Sequence, residues 1–256
     1  MLLQVVNPNT TASMTDLIGV SARAAAGPGT EVVAVHPEMG PASIESHYDE
    51  ALAVPGLLAQ LAAGEAGGAA GHVIACFGDP GLDAARELAA GPVVGIAEAG
   101  MRMATHLGRS FGVVTTLART VGRAWDLAAR YGVRDRCATV RSVDIPVLEL
   151  ETDPGARARI AAECEDVVAR DGCDAVVLGC AGMADLAREL TERVGVPVVD
   201  GVAAAVVTVE GLVRLGLTTG ARGEFAAPPP KPYAGVLDRF GPPTTDRSRL
   251  GPARRR

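Results

Sequence analysis

Short Val- and Ile-rich runs alternate along the chain with helical stretches of ten or more residues. Eight such runs are closed by turn residues and have the length of buried strands. They span residues 2–6, 31–35, 72–75, 93–96, 111–114, 139–143, 175–178 and 196–199. Because helices rather than hairpin turns separate these runs, the pattern predicts an α/β fold of mostly parallel sheets with helices on both faces.

The order of these signals repeats in the two parts of the chain. Cys76 lies 69 residues after Asn7, at the end of the first run, and Cys180 lies 65 residues after Thr115. A Pro-Val-Val strand begins 16 residues after Cys76 and 17 residues after Cys180. The repeat predicts two pseudo-symmetric α/β domains with the active site in the cleft between them.

The domain boundaries follow from this repeat. We assign residues 1–96 plus 201–220 to the first domain and residues 97–200 to the second. Residues 221–256 are rich in Pro and end in arginines, which predicts an extended arm and a disordered basic tail.

The amino-acid composition limits the classes of molecule that the protein could bind. The net charge is −6 and aromatic residues make up 3% of the chain, which argues against nucleic-acid binding and favours a small-molecule partner. The apolar stretch 194–217 contains Asp200 and Glu210, so we expect no membrane segment there. The chain starts on a strand without a basic leader, which predicts a cytoplasmic protein without a signal peptide.

The cysteines and histidines show neither a disulfide framework nor a metal pattern. Five cysteines are an odd number with irregular spacing, and the four histidines lack zinc-type spacing to them. The glycine-rich stretch 64–71 precedes a strand, whereas a dinucleotide-binding motif follows one. We therefore expect no metal and no nucleotide cofactor.

Cys76 and Cys180 are the candidate catalytic residues. Each follows a predicted parallel strand directly, and ligands bind at the carboxyl ends of such strands. Asp79 is the predicted N-cap of the helix after Cys76, with Pro80 as its first residue, and a helix also follows Cys180. A helix N-terminus lowers the pKa of a nearby thiol. A lone buried cysteine is usually a small core residue, so the functional interpretation depends on the pairing; Cys137, Cys164 and Cys173 have no such partner and are interpreted as structural.

Polar and small residues flank the same strand ends. Asn7, Asn9, Ser43, Thr115 and Thr116 either cap helices or bind a ligand, and both roles fit one crevice. The glycines beside the cysteines, Gly78, Gly179 and Gly182, leave room for a ligand close to the main chain.

Five motifs taken together resemble those of the hydantoin and allantoin racemases, which belong to the aspartate/glutamate racemase superfamily. The resemblance extends from residue 2 to about residue 216 in the same order. The motifs are Val5-Val6-Asn7-Pro8-Asn9-Thr10, Gly40-Pro41-Ala42-Ser43-Ile44-Glu45, Ala75-Cys76-Phe77-Gly78-Asp79-Pro80-Gly81, Val113-Val114-Thr115-Thr116-Leu117 and Leu178-Gly179-Cys180-Ala181-Gly182-Met183.

The resemblance implies an isomerase that uses no pyridoxal phosphate or other cofactor, assembles as a homo-oligomer and inverts the C5 centre of a 5-substituted hydantoin. Cys76 and Cys180 match the family's acid and base, one on each face of the ring. The resemblance also implies a set of substrate-binding residues: Asn7, Asn9, Ser43, Phe77, Gly78, Thr115, Thr116, Ala181 and Gly182.

Other functions stay open at the level of sequence. Arylmalonate decarboxylase-like relatives keep one of the two cysteines, so the presence of both argues against them. An amino-acid racemase or a maleate isomerase-like enzyme of the same superfamily is an alternative. A non-catalytic two-lobed binding protein is the alternative of a different class.

Overall fold

The computed structural model describes residues 1–241. Its strands are β1 (Leu2–Val6), β2 (Glu31–Val35), β3 (Gly71–Ile74), β4 (Val93–Gly95), β5 (Phe111–Thr115), β6 (Cys137–Ser142), β7 (Ala175–Gly179) and β8 (Val198–Val199). Its α-helices are α1 (Ala12–Ala25), α2 (His47–Ala66), α3 (Leu82–Leu88), α4 (Ile96–Ala104), α5 (Val121–Arg130), α6 (Ala156–Ala169), α7 (Ala187–Val194) and α8 (Gly201–Arg214).

The strands form two parallel sheets with the same topology. The first sheet has the order β2-β1-β3-β4 and the second has the order β6-β5-β7-β8. Every strand pair is parallel, and the two central pairs, β1 with β3 and β5 with β7, occupy equivalent places. All eight predicted strands are confirmed to within about two residues, as is the α/β fold with two sheets flanked by helices.

Burial explains why the strands read as continuous apolar runs. Strands β3, β5 and β7 are buried along their whole length because helices cover both of their faces. On α1 the residues Met14, Ile18 and Ala22 recur every fourth position and are almost fully buried. Burial of a side chain such as that of Ile18 contributes roughly 1.5–3 kcal/mol.

Helices α4 and α8 join the two sheets. Helix α8 packs against α1 and β3 of the first sheet, and α4 packs against both α8 and β7 of the second. The predicted domain boundaries remain a prediction, but this packing shows which elements lie between the sheets.

The chain after α8 is mostly exposed. Between residues 217 and 241 the only helical turns are the two 3-10 segments Gly223–Phe225 and Gly235–Phe240. The predicted basic tail beyond residue 241 lies outside the described residues. Within residues 1–241, no helix combines the length and the apolar character needed to cross a lipid bilayer.

Candidate active site

Cys76 lies in a tight loop at the carboxyl end of β3. Ala75 continues the strand ladder by donating its main-chain N–H to the Val6 carbonyl. The loop then turns, and the Asp79 N–H donates to the Cys76 carbonyl over 2.9 Å. The main-chain N–H of Gly78 donates to the Cys76 thiol. The loop therefore fixes both the main chain and the sulfur of Cys76.

Cys180 lies at the equivalent position of the second sheet, directly after β7. It precedes the 3-10 helix Ala181–Leu186, and the Met183 N–H donates to its carbonyl over 3.1 Å. The Gly182 N–H donates to its thiol. Each cysteine thus receives one main-chain N–H, from the residue two positions later.

The two cysteines line one cleft of about 200 Å³. Residues from loops after both sheets surround it, so the cleft lies where the carboxyl ends of the strands meet. Its lining comprises Asn9, Met14, Ile44, Glu45, Ser46, His47, Glu50, Ala75, Cys76, Phe77, Gly78, Thr115, Thr116, Arg119, Thr120, Arg123, Ala124, Val147, Gly179, Cys180 and Ala181.

Most of the predicted binding residues lie on this cleft. Asn9, Phe77, Gly78, Thr115, Thr116 and Ala181 are all in its lining. Asn7, Ser43 and Gly182 are not. Ser43 is half-buried and adjoins the lining residue Ile44, and Gly182 donates its N–H to the Cys180 thiol.

Asn7 supports Asn9 from behind. The Asn7 amide donates to Asn9 Oδ1 over 2.8 Å and to Thr15 Oγ1 over 3.0 Å, and Asn7 is almost fully buried. Asn9 Oδ1 also accepts the Thr11 N–H, which shapes the entry to α1. The Asn9 amide nitrogen meets only Met14 Sδ, a weak acceptor. Asn9 is therefore the one of the two that presents a donor to the cleft.

Thr115 and Thr116 form the equivalent wall after β5. Thr115 and Thr116 are both buried against the cleft, and Thr115 Oγ1 lies 3.1 Å from Thr120 Oγ1. Neither caps a helix, because the 3-10 turn that follows has Leu117 at its N-cap position. The Thr115 hydroxyl also donates to the Gly179 carbonyl over 3.4 Å, so the Thr116 hydroxyl is the more available of the two to a bound molecule.

Charged residues on α2 and α5 and in the segments just before them form the part of the site that the sequence analysis missed. Glu50 forms an ion pair with Arg123, and Arg123 Nη2 also donates to the Gly78 carbonyl over 2.9 Å. Glu45 accepts the Val147 N–H over 2.7 Å. Two signals in the sequence indicated part of this group. Glu45 ends the motif that begins at Gly40, and Arg119 and Arg123 follow Thr116 with the spacing of one helix face.

Burial raises the pKa of both thiols, to about 12 for Cys76 and about 11 for Cys180. The loss of hydration is the largest cause in each case, and the N–H from Gly78 or Gly182 offsets only part of it. The charge of Cys180 contributes to the raised pKa of Cys76, so the two sulfurs interact across the cleft. The expectation that helix N-termini lower the thiol pKa values is wrong for this site.

The helix after Cys76 explains part of that error. Helix α3 begins only at Leu82, with Gly81 as its N-cap in the left-handed region at φ 64°. The prediction of Asp79 as N-cap and Pro80 as first helical residue is wrong. The Asp79 carboxylate instead accepts the N–H groups of Ala97 and Glu98, over 3.0 and 2.9 Å, and so caps α4.

The chemistry available in the cleft is proton transfer on a small polar molecule. Two thiols from opposite sheets provide a potential acid and base, and the amide and hydroxyl groups provide hydrogen bonds. Among residues 1–241, no three His, Cys, Asp or Glu side chains converge in a way that could hold a metal ion.

Comparisons with known proteins identify related chains. The family model described as Asp/Glu/Hydantoin racemase matches residues 3–209. The hydantoin racemase of Pseudomonas sp. (strain NS671) is 45% identical, over 94% of this chain and 97% of its own. The hydantoin racemase of Rhizobium meliloti is 47% identical, over 92% of this chain and 98% of its own.

Solved structures that resemble this fold belong to the same kind of enzyme or share its architecture. The allantoin racemase from Klebsiella pneumoniae has a TM-score of 0.92 at 51% identity, covering 94% of this chain and 99% of that one. A crystal structure of arylmalonate decarboxylase, with a TM-score of 0.62 at 18% identity over 88% of this chain and 97% of that one, shares the fold.

Proposed function

The chain belongs to the Asp/Glu/hydantoin racemase family, and on that premise we propose that it inverts the C5 stereocentre of 5-substituted hydantoins, with Cys76 and Cys180 as acid and base. The observation that carries the proposal is the placement of the two thiols. They follow equivalent strands of two like sheets and line a single cleft.

The reaction needs one group on each face of a carbon acid. The hydrogen on C5 is acidic because an adjacent ring carbonyl accepts the charge as an enolate. One cysteine thiolate removes this proton from one face, and the other cysteine thiol delivers a proton to the opposite face. The C5–H bond breaks and re-forms with inverted configuration, and one proton has moved from the second sulfur onto the first. The first cysteine is now the thiol and the second the thiolate, which is the arrangement needed to convert the opposite enantiomer.

The raised pKa values suit this chemistry. A buried thiolate is rare at neutral pH, but it is a stronger base towards a weak carbon acid than a solvated one. Asn9, Thr115 and Thr116, with the main-chain amides that follow each cysteine, would hold the heterocycle and stabilise the enolate oxygen. From outside the lining, Asn7 hydrogen-bonds to Asn9 and Gly182 to the Cys180 thiol, while Ser43 adjoins the lining residue Ile44.

The experiment is a polarimetric screen of the purified protein with single enantiomers. The panel is allantoin, 5-alkyl and 5-benzyl hydantoins, aspartate and glutamate. We expect the rotation of at least one hydantoin to decay to zero far faster than in a protein-free control. Decay for aspartate or glutamate alone would overturn the proposed substrate class, and no decay for any compound would overturn the proposed activity.

We also propose that the protein acts in the cytoplasm as a homo-oligomer. All five cysteines are free in the structure, and a reducing compartment keeps two functional thiols unpaired. Tyr48 and Leu52 on α2 are exposed apolar side chains next to each other on one helix face, which suits contact with a second copy. Light scattering coupled to gel filtration gives the mass, and a monomer at micromolar concentration would contradict the assembly.

A further inference from the structure

Glu45 is a carboxylate of the cleft lining whose main chain is fixed by the start of α2. Its N–H donates to Asp49 Oδ2 over 3.1 Å, and the Ser46 hydroxyl donates to the same oxygen over 2.7 Å. Ser46 Oγ in turn accepts the Asp49 N–H over 3.1 Å. These reciprocal bonds act as a capping box does, so the helix N-terminus holds the main chain at Glu45.

The side chain of Glu45 connects the first sheet's loops to those of the second. Its Oε1 accepts the main-chain N–H of Val147 over 2.7 Å, and Val147 begins the 3-10 turn Val147–Glu149 that follows β6. Glu45 and Val147 both line the cleft, together with Cys76 and Cys180. The carboxylate is therefore anchored beside the space that a substrate would occupy.

Only one of the two carboxylate oxygens of Glu45 has a partner. Within residues 1–241, Oε2 accepts no hydrogen bond, and the carboxylate forms no ion pair with a Lys, Arg or His side chain. The protein does not enclose this oxygen, so a bound molecule can reach it. Glu50, the other carboxylate of the lining, differs because Arg123 pairs with it. A half-buried carboxylate without a cation favours contact with hydrogen-bond donors.

The cations of the lining leave the charge of Glu45 uncompensated. Arg123 is engaged by Glu50 and by the Gly78 carbonyl. The His47 side chain is 85% exposed and lies 4.0 Å from Glu50. Arg119 is exposed, so solvent and salt screen its charge. A ligand that ends in a carboxylate would therefore meet an unpaired negative charge, whereas an N–H donor would find an acceptor.

We propose that Glu45 Oε2 accepts an N–H of the bound hydantoin, and that its charge selects hydantoins whose 5-substituent carries no negative charge. Glu45 is then a specificity-determining residue, because it disfavours 5-substituents that end in a carboxylate. The same repulsion acts against the carboxylates of free aspartate and glutamate. The inference rests on the proposed function, since it specifies which members of that substrate class the cleft accepts.

Two ligands that differ in one terminal group test the effect of this charge. The ligand 5-(2-carbamoylethyl)hydantoin ends in a neutral amide, and 5-(2-carboxyethyl)hydantoin ends in a carboxylate on the same chain. Isothermal titration calorimetry measures the dissociation constant of each with the full-length protein. Both ligands are racemic, so turnover does not change their composition. With the wild type we expect the neutral ligand to bind roughly tenfold more tightly, because Glu45 repels only the carboxylate ligand.

Glu45→Gln removes the charge and keeps an acceptor oxygen for the Val147 N–H. In this variant we expect the ratio of the two dissociation constants to fall roughly fivefold, mainly through tighter binding of the carboxylate ligand. The matched control is Glu149→Gln, which removes an exposed carboxylate of the same 3-10 turn that lies outside the lining. This control should leave the ratio within about twofold of the wild type.

The wild-type measurement alone can overturn the proposal, so the test does not depend on the folding of a variant. Equal binding of the two ligands, or tighter binding of the carboxylate ligand, would show that Arg119 or solvent compensates the charge of Glu45. An unchanged ratio in folded Glu45→Gln would overturn the proposal as well. If hydantoins bind and racemise without regard to the terminal charge, the specificity inference fails and the proposed function stands. If no hydantoin binds, both fail.

Discussion

At the scale of single residues, Cys76 and Cys180 occupy equivalent positions after the central strands of their sheets. Each accepts its own main-chain N–H, and the two line the cleft from different sheets. On the proposed mechanism, we expect each sulfur to exchange a proton with one face of a bound ring. The proposal therefore gives each cysteine a role that the other does not share.

Replacing Cys76 or Cys180 with Ser should abolish racemisation in both directions, because inversion needs a base and an acid together. Each single variant keeps one thiol beside one face of the ring. We expect each to exchange the C5 hydrogen of one enantiomer with solvent deuterium without inverting it, and the two variants to prefer opposite enantiomers. NMR in heavy water measures this exchange after subtraction of the spontaneous rate. Exchange of the same enantiomer by both variants would contradict the assignment of one cysteine to each face.

The raised pKa of Asp79 makes a prediction about stability against pH. The folded protein binds this proton more tightly than the unfolded chain, so the contribution to the free energy of unfolding is largest below about pH 4 and is lost as the pH rises through about 6. Relative to Asp79→Asn, the wild type should lose about 2–3 kcal/mol between pH 4 and 7. Urea denaturation at each pH gives the difference. Tyr131→Phe keeps the ionisable carboxylate but removes a hydrogen bond that lowers its pKa, so this variant should lose at least as much stability over the same pH range. A flat difference between the wild type and Asp79→Asn would show that Asp79 is ionised equally in both states.

At the scale of elements, helix α8 begins with a side-chain cap from Asp200, the residue before its first turn. Asp200 accepts the N–H groups of Val202 and Ala203, over 2.8 and 3.1 Å, and the Ser21 hydroxyl of α1 over 2.6 Å. The cap therefore fixes α8 against α1 as well as starting it.

Asp200→Ala should lower the free energy of unfolding by about 1–2 kcal/mol, because it leaves helix N–H groups without an acceptor. Asp200→Asn retains an acceptor and should lose less than half as much. Chemical denaturation of both variants measures the effect. Equal losses in the two variants would show that the charge, and not the cap, stabilises this end of α8.

The elements themselves were predictable to different degrees. Strands such as Leu2–Val6 and Ala175–Gly179 are buried on both faces, so their apolar runs identify them directly. The start of α3 was not predictable in the same way. Asp79 is a good N-cap by type, but its carboxylate is taken by α4, which lies eighteen residues further on. A local pattern cannot contain a partner that only the tertiary fold brings near.

At the scale of the whole molecule, several polar contacts link the loops and helices of the first sheet to those of the second. Arg123 of α5 pairs with Glu50 of α2 and binds the Gly78 carbonyl, Tyr131 binds Asp79, and Glu45 accepts the Val147 N–H. Those of Arg123 and Glu45 join residues of the cleft lining itself and so connect its two walls.

Arg123→Gln should lower the free energy of unfolding by about 1–3 kcal/mol, since it leaves Glu50 without its cation and weakens the bond to Gly78. Racemisation should fall as well, because the Gly78 loop carries Cys76. The control is Arg130→Gln, which breaks a more exposed ion pair with Asp83 and should cost less than about 1 kcal/mol. Similar losses in the two variants, by denaturation and by polarimetry, would contradict a specific role for the Arg123 contact.

The sequence repeat predicted the paired sheets and the cleft because it preserves the order of strand, cysteine and helix in both halves. It could not predict which side chains meet across the cleft. Glu50 and Arg123 lie 73 positions apart on helices that the repeat does not relate to each other. Asn9, Thr115 and Thr116 were predictable because they end strands, and strand ends meet by topology alone.

Cys76 lies in a tight loop and Cys180 precedes a 3-10 helix, and these different surroundings have a consequence for rate measurements of the proposed reaction. Enantiomers have the same free energy in water, so the equilibrium constant of the proposed reaction is one. The ratio kcat/KM must then be the same in both directions, however different the surroundings of Cys76 and Cys180 are. Any preference for a starting enantiomer can appear only as a higher kcat accompanied by a KM that is higher by the same factor.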